Sequence, residues 1–119
     1  MASFVREESF GSVRIFWLEQ DELIQALRKT AERVGRSNED VLRIYLFGSI
    51  AEKRGVPGSD ADVLVILRKS NRPFMERIVE WRQKFQIDFP IEVFPYTEKE
   101  LGNPIAEEGA KRGVLLYTR

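Results

Sequence analysis

The sequence predicts an α/β (α+β) domain: a mixed, mostly buried sheet of about four strands with helices packed on it. Three observations carry this. Apolar runs rich in β-formers recur at 41–47, 61–67, 91–96 and 114–118, and such unbroken runs fit strands covered on both faces. Segments whose apolar residues return at helical spacing stand between those runs. A chain of 119 residues that is 43% hydrophobic is enough for one core. No linker, repeat or low-complexity segment divides it, so the domain spans 1–119.

Each element has its own signal. SVRIFW, 12–17, reads as a short strand. A helix is expected over about 21–34, because Leu23, Ile24, Leu27, Ala31 and Val34 share one face. Asp21 is its candidate N-cap and Gly35 its stop. VLRIYLF, 41–47, is a buried strand, followed by a turn at Gly48-Ser49 and a short helix in IAEKR. GVPGS, 55–59, is a loop by its glycines and proline, and ADVLVIL, 61–67, is the next strand. Pro73 takes a first helical position after Ser70 and Asn71 as possible caps. Phe74, Ile78, Trp81 and Phe85 then follow at spacings of four, three and four, a core-facing helix stripe. In IEVFPY, 91–96, Pro95 places the strand at an edge or ends it early. A last helix runs from Asn103-Pro104 to Gly113, and VLLYT closes the sheet.

Composition narrows the chemistry. Nineteen basic residues balance nineteen acidic ones, so no whole-chain attraction to nucleic acid or an anionic membrane is expected. The cluster Arg28, Lys29, Arg33 and Arg36 reads as a solvated face. Without cysteine or histidine, thiol catalysis and the common zinc sites are excluded. A metal must be held by oxygen, and a general base must be a carboxylate, lysine or tyrosine. No apolar run is long enough for a membrane span or a signal peptide, so a cytoplasmic protein is expected.

The stretch LFGSIAEKRGVPGSDADVLVIL, 46–67, concentrates the remaining signal. Alternation along a strand puts Asp60 and Asp62 on one face. Taken alone they read as a solvated loop and strand end. Two adjacent carboxylates also repel unless a cation lies between them, so the pair is a natural half-site for Mg²⁺. Glu92, between Ile91 and Val93 on the third buried strand, is the candidate third ligand, and Asp88 a weaker substitute. Gly48 lets backbone approach a ligand, and Ser49 opening a helix offers N–H groups and a hydroxyl to a phosphate. Phosphate and carboxylates meeting at metal ions is a layout for phosphoryl or nucleotidyl transfer.

Gly48-Ser49, ten residues, then Asp60-x-Asp62 resembles the G-S-x10-D-x-D signature of the minimal nucleotidyltransferases, small members of the DNA polymerase β-like superfamily. The likeness extends over roughly 12–101, through P-x-S-D before the acid pair and Y-T-E-x-E-L after the third strand. The resemblance implies a nucleotidyltransferase fold in which Gly48, Ser49 and Ser59 bind the nucleotide. It makes Asp60, Asp62 and Glu92 both the catalytic residues and the ligands of one or two Mg²⁺ ions, with Mn²⁺ possible, and ATP the substrate. Many relatives of this kind are antitoxins of small helical HEPN-domain toxins, and some transfer AMP onto a toxin tyrosine. An oligomer or hetero-oligomer is expected, with no membrane and no direct nucleic-acid binding. Two departures stand out: Glu92 where aspartate is usual, and Ala51-Glu52-Lys53-Arg54-Gly55 where A-R-G often follows the G-S pair. They leave two alternatives beside protein AMP transfer: neutralisation of a partner by contact alone, and small-molecule nucleotidylation.

Overall fold

The computed structural model describes residues 4–119. A hairpin opens them. Strands β1 (Val5–Phe10) and β2 (Val13–Leu18) pair antiparallel across a two-residue turn. Gly11 takes φ +61 there, as the first position of a type II′ turn requires. Helix α1 (Gln20–Ser37) follows. The main sheet comprises β3 (Val41–Phe47), β4 (Ala61–Leu67), β5 (Ile91–Thr97) and β6 (Val114–Thr118), in the order β5-β4-β3-β6. β4 and β5 run parallel, and the other two pairings are antiparallel. Between them stand α2 (Gly48–Ala51), α3 (Phe74–Lys84), a 3-10 turn (Glu98–Glu100) and α4 (Pro104–Arg112). The expected mixed four-stranded sheet with packed helices is the fold observed.

Both sheet faces are covered, which accounts for the unbroken apolar runs. On one face Leu23, Leu27, Ala31 and Val34 of α1 and Trp81 of α3 meet Ile44, Leu46, Val63, Val65, Ile91 and Val93. On the other, Ala106 of α4 packs with Leu64, Ile66 and Tyr96, flanked by Phe47, Phe74 and Phe94. Among the described residues, no helix is long and apolar enough to cross a membrane.

Several boundaries differ from the sequence expectation. The expected strand at 12–17 is half of a hairpin, and Phe16 and Trp17 are exposed on it. Glu19, not Asp21, occupies the N-cap of α1. Gly35 does not stop α1, because the helix carries on for two residues with the Tyr117 ring pressed where a side chain would stand. Pro73 is the N-cap of α3 and not its first helical residue. α4 starts at Asn103-Pro104 as expected, and Asn103 caps it, its Oδ1 accepting the Ile105 N–H at 2.9 Å. Of the basic cluster on α1, Arg28 donates to the Leu115 carbonyl at 2.9 Å, on β6.

Candidate active site

The site forms where three elements of the sheet end together. Phe47, the last residue of β3, lies opposite Asp62 on β4, and Asp62 lies opposite Glu92 on β5. Residues opposite one another in a ladder share a face, so Asp62 and Glu92 stand side by side. Their face is the one α4 covers, since Leu64 and Ile66 follow Asp62 on it. The Phe47 and Phe94 rings, 5.4 Å apart between centroids, lie under this end of the sheet.

Asp62 is half-buried and surrounded by its own sign of charge. Burial pushes its carboxyl up to about 6, with the negative charges of Glu92 and Asp60 and a side-chain hydrogen bond to Glu92 acting in the same direction. Asp60 lies one residue before β4 and is exposed. Glu92 is also exposed. Asp88 sits exposed in the bend before β5 and is not among the groups that act on Asp62.

The Gly48 position answers to Asp62. Its φ of +78 disfavours any side chain. A Cβ there would also collide with Asp62 Oδ2. The turn into α2 is therefore closed directly onto the carboxylate, and Ser49 stands at the start of that short helix. The N–H groups of a first helical turn lack intrahelical partners, and this turn begins beside the Asp62 carboxylate.

Ser59 has an assignment within the loop. Its Oγ accepts the Val56 N–H at 3.0 Å while its own N–H donates to the Val56 carbonyl at 2.9 Å. It shapes the approach to Asp60.

The loop after α2 is pinned by α1, a contact that sequence reasoning missed. Gly55 N–H donates to Gln20 Oε1 at 2.8 Å. Lys53, which adopts φ +61, is ion-paired with Asp21. Arg54 pairs with Glu52 at 2.6 Å. Both loop cations are thus matched by acids. Nothing in the spacing of Gln20 and Gly55, 35 residues apart, announces this contact.

A second missed group braces β5. Arg77 reaches from α3 to donate to Glu100 Oε1 and Oε2 at 2.7 and 2.9 Å and to the Pro95 carbonyl at 2.8 Å. Its Nε donates to the Arg72 carbonyl at 3.0 Å. Glu100 also accepts the Thr97 N–H and hydroxyl at 2.8 and 3.0 Å. The Arg77 hydrogen bonds, aided by those from Thr97, hold the Glu100 carboxyl down to about 2. Two signals were available: Arg77 lies on the Phe74–Trp81 stripe, and Thr97-x-x-Glu100 has capping-box spacing.

The donor set suits a hard divalent cation. The charges of Glu92 and Asp60 both act on Asp62, and a cation beside it would relieve that repulsion. Among the described residues, however, no group of three or more acids is gathered closely enough to enclose a metal by itself. An ion held here needs oxygens from elsewhere, and phosphate or water supplies them in sites of this chemistry.

Comparison with known proteins bears on the fold and the family. No curated protein matches the sequence. A crystal structure of a proposed nucleotidyltransferase from Sulfolobus solfataricus has a similar fold, with TM-score 0.64, 20% identity and 84% of each chain covered. The family model for the nucleotidyltransferase domain matches residues 27–114, a span that contains Gly48, Ser49, Asp60, Asp62 and Glu92. The chain therefore belongs to the nucleotidyltransferase domain family.

Proposed function

We propose that this chain is a Mg²⁺-dependent nucleotidyltransferase that moves AMP from ATP to a tyrosine hydroxyl of a small helical HEPN-type toxin, and so acts as an antitoxin. Nucleotidyl transfer itself is the activity of its family. The observation that carries the reading is Asp62 paired with Glu92 directly beside a turn in which Asp62 leaves room only for glycine.

In this reading Asp60, Asp62 and Glu92 would hold one or two Mg²⁺ ions, with Mn²⁺ as a substitute. When bound, the metal supplies positive charge where phosphate charge develops. Gly48 and the hydroxyl of Ser49 cradle the terminal phosphates. Ser59 keeps the loop that presents Asp60 in place. The acceptor oxygen forms a bond to the α-phosphorus as the bond to the β-phosphate breaks, and pyrophosphate leaves. The acceptor's proton passes to Glu92, the exposed carboxylate of the pair. The reading places the protein in the cytoplasm, where ATP and a toxin acting on RNA would both be met.

One set of observations favours a second reading, neutralisation of the partner by contact alone. The three acids do not close around a metal unaided, and both loop cations are already paired. Small-molecule nucleotidylation has no observation of its own.

The test uses the purified chain, MgCl₂ and ATP labelled on the α-phosphate, with the product of the neighbouring gene where that encodes a small helical protein. Label on the partner, lost with Asp62→Asn, is the expected result. A tight complex without label transfer would replace AMP transfer with contact neutralisation.

A further inference from the structure

The hairpin β1–β2 lies outside the residues that define the family, 27–114. Its register shows that Phe10, Val13, Ile15 and Trp17 share one face with Glu8 and Arg6. The four apolar side chains are 55%, 56%, 47% and 38% exposed. Among the described residues, the base of the hairpin is tied to the body. Phe4 and Leu18 are buried there, Glu19 N–H donates to the Phe4 carbonyl at 2.7 Å, and Arg6 pairs with Glu22 at 2.7 Å. A two-stranded hairpin is marginal in water without a covered face, yet this one presents an apolar ladder out to its tip.

We infer that the hairpin is a dimerisation element whose Phe10–Val13–Ile15–Trp17 face packs on the same face of a second copy of this chain. Area and charge both favour a copy as the occupant. The four side chains expose roughly 300 Å² of apolar surface. Interfaces are about 60% apolar, so this corresponds to about 500 Å² per partner and 1,000 Å² in total, the threshold of a specific contact. The hairpin carries Arg6, Glu7, Glu8 and Arg14, two charges of each sign. Such a surface does not ask for a strongly charged partner. A twofold pairing sets a neutral, apolar patch against its own image. The whole chain has formal net charge zero, so two copies meet without long-range repulsion.

Sedimentation equilibrium of the full chain across the micromolar range tests this. The expected result is a reversible dimer of twice 13.9 kDa. Ile15→Glu should weaken the dimer at least about tenfold, which corresponds to 1.4 kcal/mol. Phe10→Ser at the tip should weaken it in the same direction. Both positions are exposed, so circular dichroism and thermal melting should show a folded protein. Val79→Glu, which removes an apolar side chain 60% exposed on α3, should leave the dimer intact. A wild-type chain that stays monomeric overturns the inference, even if a different protein then binds the hairpin. So does a dimer that both hairpin variants leave unchanged.

Discussion

Asp62 is held where its charge is least welcome, and the role proposed for it and the stability of the fold pull in opposite directions. Its folded-state carboxyl sits near 6, above the ordinary 3.8, from burial first and then from Glu92 and Asp60. A group raised in this way favours folding when protonated. That contribution is complete below about pH 4 and is lost as pH rises through 6. Asp62→Asn should therefore raise the melting temperature at pH 8 by a few degrees, about 1 kcal/mol after allowance for solvent screening, while removing nucleotidyl transfer. A melting curve at pH 8 and another at pH 3 decide it, since the difference from wild type should all but vanish at the lower pH. Added Mg²⁺ should narrow the gap at pH 8 by stabilising the wild type more than the variant. That Asp62 and Glu92 stand on neighbouring strands was legible in the sequence, because period-two alternation and flanking apolar runs are local properties. How closely the three acids gather was not, because it depends on how β4 and β5 lie against each other at their ends.

At the scale of elements, legibility followed burial. The strands 41–47, 61–67, 91–97 and 114–118 were readable because a sheet covered on both faces leaves continuous apolar runs. VREESF was not readable as β1, because its strand character comes from pairing with β2 and from no buried face of its own. Gly35 misled because a glycine that makes room for Tyr117 has the same letter as one that ends a helix. Pro95 was read as marking an edge or an early end, and the edge is what holds, since β5 runs on to Thr97; the Arg77 guanidinium donates to the Pro95 carbonyl there. That brace makes a prediction at this scale. The Arg77 side chain is 6% exposed and that of Glu100 38%, so removing the acid strands a buried cation. Glu100→Gln should cost about 2 kcal/mol, discounted for the acid's own exposure, measurable by urea unfolding. The Glu100 carboxyl is depressed to about 2, so the wild-type pair supports the fold above about pH 4.5 and fails as pH falls through 2. The destabilisation by Glu100→Gln should accordingly shrink in acid.

At the scale of the molecule, the fold joins segments far apart in sequence. β3 lies between β4 and β6, and Leu46 pairs with Val114. α1 depends on the same late strand: Arg28 holds the Leu115 carbonyl and Tyr117 fills the space beside Gly35. Arg119 then bonds the carbonyls of Val41 and Asn38, both at 2.9 Å. A chain stopped after Gly113 should keep helical signal in circular dichroism but lose cooperative melting and bind a hydrophobic dye. A sharp, unshifted melting transition would show β6 to be dispensable. This arrangement has a consequence for biosynthesis. β3 emerges from the ribosome nearly seventy residues, and α1 nearly eighty, before the strand that covers them. Until it arrives, an apolar strand edge and a helix flank stand open, the kind of surface on which nascent chains stick to one another. The period between translation of α1 and of β6 is when this protein most needs a chaperone, and slow synthesis across 48–113 would lengthen it.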